Sequence, residues 1–206
     1  MDAASNDSYT PLLMACDKGH LDMVRELLVR GAAVDAPMSN GATPLLIASH
    51  EGHLDVVREL LVRGAAVDAA RNDGVTPLFM ASQEGHLDVV RELLLRGAAI
   101  NTAANNGQAP LYVACFDGHI DVVRLLLARG AAVNAACTDG RTPLALASES
   151  GHTEVVRELL AGGAAVNAAS NNGRTPLSRA TANRHTAVAV LLRAAGALLL
   201  RAAGAI

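Results

Sequence analysis

Six of the seven histidines recur at one interval: His20, His53, His86, His119, His152 and His185. A row of imidazoles could hold a row of metal ions, but the distances oppose it. Stacked helices lie about 8–10 Å apart, whereas each ligand must come within about 2 Å of a zinc ion. The reading that remains is a structural imidazole that hydrogen-bonds in a turn between two helices. The acids Asp22, Asp55, Asp88, Asp121 and Glu154 recur in the same way. They read as one helix-start carboxylate, favourable to the helix dipole, and not as a catalytic pair. Cys16 and Cys115 hold equivalent places three intervals apart, on the order of 30 Å by the same packing distance, too far for a disulfide. Ser49, Ser82, Ser148 and Thr181 stand at the matching places, so that position calls for a small residue. Cys137 falls in a loop open to solvent exposure. There is no Gly-x-Ser-x-Gly, no Gly-x-Gly-x-x-Gly and no Gly-Lys-Ser/Thr phosphate loop. No catalytic residue, metal or cofactor is expected.

The elements that carry these residues follow from the interval itself. Thr-Pro-Leu begins at Thr10, Thr43, Thr76, Thr142 and Thr175, and Ala109-Pro110-Leu111 fills the gap in the series. Gly-His begins at Gly19, Gly52, Gly85, Gly118 and Gly151 and decays to Arg184-His185. Gly-Ala-Ala followed by Val or Ile begins at Gly31, Gly64, Gly97, Gly130 and Gly163. Three markers in one 33-residue register across the chain are an internal repeat.

Each unit reads as turn, helix, turn, helix. In the second, Asn40-Gly41 is a tight turn, Thr43 an N-cap and Pro44 the first helical residue. A short helix follows, with Leu45, Ala48 and Ser49 on one side, and Gly52 stops it. Val56, Val57, Leu60 and Leu61 form the apolar stripe of the next helix, which Gly64 ends. One such pair cannot bury its stripe alone, whereas a stack of pairs can.

Thr-Pro-Leu, Gly-His and Gly-Ala-Ala-Val-Asn/Asp at this period resemble the ankyrin repeat over nearly the whole chain. The resemblance implies an all-α repeat solenoid of antiparallel helix pairs with protruding β-hairpin loops. It also implies a concave face made by the first helices and the hairpins, and a role in protein–protein recognition. Six repeats are expected in a single domain over 1–206, at about 5–37, 38–70, 71–103, 104–136, 137–169 and 170–198, with a tail at 199–206. The family usually has His after Thr-Pro-Leu, where this chain has Leu13, Leu46, Phe79, Tyr112, Ala145 and Ser178. That replaces a buried polar network by apolar packing. Ser8 in place of a glycine suggests a loosened first turn. Arg179, Arg184 and Arg193 stand where earlier units are apolar or Gly, and read as a polar cap on the last unit. The tail repeats Leu-Leu-Arg-Ala-Ala-Gly-Ala, as extra turns of the last helix or the start of a truncated seventh unit.

Composition narrows the partner. Aromatics make up 2% of 206 residues and net charge is −3, with no Lys/Arg-rich run. That disfavours nucleic acid, which needs a basic face, and an anionic membrane surface. The N-terminus shows no signal peptide, and no apolar stretch reaches the ~20 residues that span a bilayer. A soluble, cytoplasmic monomer is expected.

The resemblance places the variable, partner-facing positions on the hairpin tips and at the ends of the first helices. Those singled out for protein binding are Tyr9, Asp17, Lys18, His50, Glu51, Val75, Gln83, Glu84, Gln108, Phe116, Asp117, Arg141 and Glu149. Asn6 and Asp7 belong to the same row. The Asn and Asp of the tips read as turn chemistry, and Phe116 as an anchor, since aromatics and Arg dominate binding energetics. Recurring acids suggest a partner segment with basic residues. Alternatives are a structural spacer, the targeting arm of a longer enzyme, or an engineered, consensus-like scaffold.

Overall fold

The computed structural model of the chain describes residues 9–202, and side chains as far as residue 198. The expectations for Asn6, Asp7 and Ser8 lie outside the described residues. The described residues form twelve helices in repeated pairs and contain no strand. Packing divides the chain into unit 1, Met1–Asn105, and unit 2, Asn106–Ile206.

Unit 1 holds α1 (Pro11–Asp17), α2 (Leu21–Val29), α3 (Pro44–His50), α4 (Leu54–Val62), α5 (Pro77–Gln83) and α6 (Leu87–Leu95). First helices pack on first helices, α1 on α3 and α3 on α5, and second helices on second helices, α2 on α4 and α4 on α6. Unit 2 repeats this plan with α7 (Pro110–Asp117), α8 (Ile120–Ala128), α9 (Pro143–Ser150), α10 (Thr153–Ala161), α11 (Pro176–Ala182) and α12 (Thr186–Ala202).

Local chemistry sets each pair. The Thr43 hydroxyl accepts from the Leu46 N–H at 3.3 Å, and Thr76 caps Phe79 at 3.2 Å in the same way. Proline follows at the first helical position, where its missing N–H leaves no partner unmet. The first helices are seven or eight residues long, too short to hold without packing. Leu45, Leu46, Ala48 and Ser49 are therefore buried. The second helices bury Val56, Val57 and Leu60 and their equivalents, each worth about 1.5–3 kcal/mol out of water.

Ala109 breaks the series, because α7 starts with no side-chain cap. Ala109→Thr is expected to raise stability by about 0.5–2 kcal/mol, read as a higher urea midpoint of the full chain. An unchanged or lowered midpoint would count against the capping account.

The hairpin loops are tight turns and not β-ladders. Arg71 N–H donates to Val75 O at 2.9 Å and Gly74 N–H to Arg71 O at 2.8 Å, which closes a five-residue loop. The arms are too short for a second rung. Their spare groups join neighbouring turns instead: Asn72 N–H to Asn40 O and Asn105 N–H to Asp73 O in unit 1, and Asn171 N–H to Asp139 O in unit 2.

The last helix departs from its predecessors. In earlier units the second helix ends at a glycine with φ near +88°, such as Gly64. α12 runs on through Gly196 to Ala202, because Ala197 and three leucines replace the extended Ala-Ala-Val-Asn. The tail up to Ala202 is thus more of the last helix, as in the first of the two readings. No helix among the described residues is long and apolar enough to cross a membrane.

Candidate protein-binding surface

Most polar side chains are consumed within the scaffold. His53 Nε2–H donates to the Asp17 carbonyl at 3.0 Å and His86 to the His50 carbonyl at 2.8 Å. In unit 2, His152 reaches Phe116 O at 2.9 Å and His185 reaches Glu149 O at 3.0 Å. The recurring imidazole therefore clamps the end of the preceding repeat's first helix, a longer reach than the expected bond inside its own turn. On the second helices Arg25 binds Glu59 at 3.0 Å, Arg58 binds Glu92 at 3.2 Å and Arg124 binds Glu158 at 2.9 Å. Arg25, foremost, holds the Glu59 carboxyl below its ordinary range.

The turn tips are consumed too. Asn40, Asp73, Asn106, Asp139 and Asn172 each accept from the backbone N–H two residues on, at 2.9 to 3.3 Å. Asp73 also takes the Arg71 guanidinium through two bonds of 2.9 and 2.6 Å, which depresses its pKa. The tip acids are turn chemistry, and Asp73 and Asp139 are each paired with an arginine of their own turn.

Unit 1 brings together seven of the expected residues. Tyr9, Asp17 and Lys18 stand at and beside α1, His50 and Glu51 at the end of α3, and Gln83 and Glu84 at the end of α5. Lys18 pairs with Asp17 at 2.8 Å. The Tyr9 hydroxyl is pushed above its ordinary pKa by partial burial and then by Asp17. His50 Nδ1 lies 2.6 Å from Glu51, and its Nε2 lies 3.8 Å from Glu84. An imidazole thus stands between carboxylates of adjacent repeats. Val75 does not belong here: it is 5% exposed. Ala42, at the matching place, is buried as well. In unit 1 this position is floor, because residues that small sink beneath the turn.

Unit 2 holds Gln108, Phe116, Asp117, Arg141 and Glu149. Phe116, at the end of α7, is 50% exposed. Arg141 is tied to Asp139 at 2.6 Å. Glu149 is bound by Arg179 at 2.8 Å and lies 3.9 Å from Arg141.

Sequence reasoning misjudged a buried polar network in this unit. Cys137 is 7% exposed, not solvent-facing. Its thiol donates to Asp139 at 2.7 Å and accepts from the Tyr112 hydroxyl at 3.0 Å. That thiol first, and then Arg141, hold the Asp139 carboxyl low, while burial pushes the Tyr112 hydroxyl up. Arg179 is 6% exposed and is no outward cap. It binds Glu149 through Nη1 and Ser170 through Nη2, both at 2.8 Å, and its Nε has no partner. The signal was present: Arg179 sits in a series otherwise made of Met14, Ile47, Met80, Val113 and Leu146. Arg184 and Arg193 are exposed, as expected of a cap. The thiols of Cys16 and Cys115 are buried, and burial pushes that of Cys16 up to about 12.

Compared with known families, the chain matches a model described as ankyrin repeats in three copies, over residues 1–73, 59–137 and 129–200. No curated protein matches it.

Proposed function

The chain belongs to the ankyrin-repeat family, whose repeats are generally protein–protein interaction modules, and from that membership we propose a non-catalytic binding module. A partner protein or peptide lies against the first-helix ends and turn tips, the concave face that the resemblance implies. The observation that carries this is Phe116. The chain has four aromatic residues, two Phe and two Tyr. Tyr112 and Phe79 are buried, whereas Phe116 stands half-exposed where other repeats place Asp17, His50, Gln83 and Glu149. An aromatic with half its surface left in water is a ready anchor for a partner.

Over unit 1 the partner segment carries basic residues. The support is narrower than the sequence suggested, because Asp73 and Asp139 are occupied. It rests on Glu51 and Glu84, both exposed and neither ion-paired with an arginine or lysine among the described residues.

The test is capture from a lysate of the source by immobilised chain, beside Phe116→Ala and the pair Glu51→Gln, Glu84→Gln. Retention of a protein partner is expected to fall at least tenfold with Phe116→Ala and to become less salt-sensitive with the Gln pair. Both variants should keep their helical circular dichroism. Undiminished capture by both variants would move the binding site off this face.

A further inference from the structure

Charge is distributed unevenly along the chain. Residues 159–206 contain five arginines and neither Asp nor Glu. In unit 1 every arginine is ion-paired. Arg184 and Arg193 of unit 2 are exposed and make no ion pair among the described residues.

Both lie at one groove. Between α11 and α12 is an open cavity of about 470 Å³, lined by Ala180, Thr181, Ala189 and Val190 together with Arg184 and Arg193. Val190 is 62% exposed. It holds the place of Arg25 and Arg58, which in unit 1 pair with the next repeat.

A further repeat bearing the same histidine is the obvious occupant, and Arg184 stands in its way. At Gly19, Gly52, Gly118 and Gly151 an added Cβ would stand 2.7, 2.6, 2.6 and 2.5 Å from the histidine ring of the following repeat. Those glycines lie at φ of +68° to +83°, and Arg184 holds their place in the last repeat at φ +63°. Its Cβ therefore points as theirs would, into the space a seventh repeat's histidine needs. A second copy of this chain, stacking by its own His20, meets the same obstruction.

We propose that this groove docks a protein segment of opposite character, an aliphatic side chain flanked by carboxylates. The aliphatic group covers Val190, the exposed apolar side chain of the groove, and acids on either side pair with Arg184 and Arg193. Charge complementarity selects this occupant: two guanidiniums with no ion pair among the described residues flank the exposed Val190, in a repeat that has no acid. Nucleic acid would meet the charge but finds no aromatic platform for its bases.

The probe is a fluorescein-labelled helical peptide of glutamates with two leucines four residues apart. Its controls are the same peptide with Ser for Leu, the same with Lys for Glu, and an oligothymidylate. Binding to the full chain is read by anisotropy at two salt concentrations. The Glu/Leu peptide is expected to bind, the three controls at least tenfold more weakly. Arg184→Gly with Arg193→Gln should weaken the Glu/Leu peptide at least tenfold without lowering the melting temperature, since glycine suits φ +63°. Phe116→Ala should leave it unchanged, which separates this groove from the face proposed above. The inference is overturned if the wild-type chain ignores the Glu/Leu peptide, if the double variant binds it equally well, or if the Ser peptide or the oligothymidylate matches it.

Discussion

Gly52→Ala is expected to destabilise the chain by roughly 2–3 kcal/mol, and Gly64→Ala by only about 1–2 kcal/mol. Both glycines are left-handed, with φ of +75° and +88°. An L-residue costs about 1–2 kcal/mol in that region. The difference lies in what the new methyl meets. At Gly64 there is nothing within 4 Å, whereas at Gly52 the His86 ring is 2.6 Å away. The ring must move, and its 2.8 Å bond to the His50 carbonyl goes with it. That bond is worth about 0.5–1.5 kcal/mol. Urea unfolding of both variants checks this, with His86→Ala and the Gly52→Ala, His86→Ala double. If the ring is the obstacle, the double variant loses less than the sum of the singles by about 0.5 kcal/mol or more. Equal losses at Gly52 and Gly64 would show that the Gly-His pair is local turn chemistry and not an interlock between repeats.

Arg179→Ala is expected to cost about 2–4 kcal/mol, and Arg179→Leu to fall within about 1 kcal/mol of the original. Breaking a buried ion pair by removing one partner costs about 3–5 kcal/mol. The figure is reduced here because the Glu149 side chain is 33% exposed and water can take over its solvation. Alanine also leaves a hole, since the series position is filled by Leu146 and Val113 elsewhere in unit 2. Leucine refills that volume and removes an Nε that has no hydrogen-bond partner. Well-packed apolar replacement of buried ions is often neutral or stabilising. If Arg179→Leu proves as damaging as Arg179→Ala, the bonds to Glu149 and Ser170, and not the volume, hold repeats five and six together. Arg179→Leu also leaves the Glu149 carboxylate with the more distant Arg141, at 3.9 Å, so a basic partner on the first-helix face should bind it more tightly and with greater salt dependence.

The two results bear on one question, which is how far a repeat array can be read one unit at a time. Thr43 and Pro44 mark the start of α3 because cap and ring act on backbone within three residues. Gly52 and Gly64 mark stops because their φ is a local demand. Other positions mislead when read this way. Val75 shares its place with Gln108 and Arg141 but is buried. Its side chain is short and apolar and sinks into the floor, while theirs are long enough to leave it. Cys137 stands in a turn, yet Tyr112, twenty-five residues earlier, covers it and bonds its sulfur. The acids Asp73 and Asp139, at tips that read as turn chemistry in the sequence, are held by Arg71, Arg141 and the turn backbone.

The sequence by itself determined the repeated helix pairs, the threonine caps, the glycine stops of the earlier repeats and the apolar stripe of their second helices. All of these rest on hydrogen bonds and side-chain spacing inside one repeat. Only the tertiary structure decided where the histidine rings point, which carboxylates remain free, and that Arg179 lies inside while Arg184 lies outside. Those outcomes depend on partners some thirty residues away, such as His53 with the Asp17 carbonyl and Arg179 with Glu149. The physical reason is that a bond between repeats forms only when stacking brings two groups within about 3 Å. No spacing within a single repeat carries that distance.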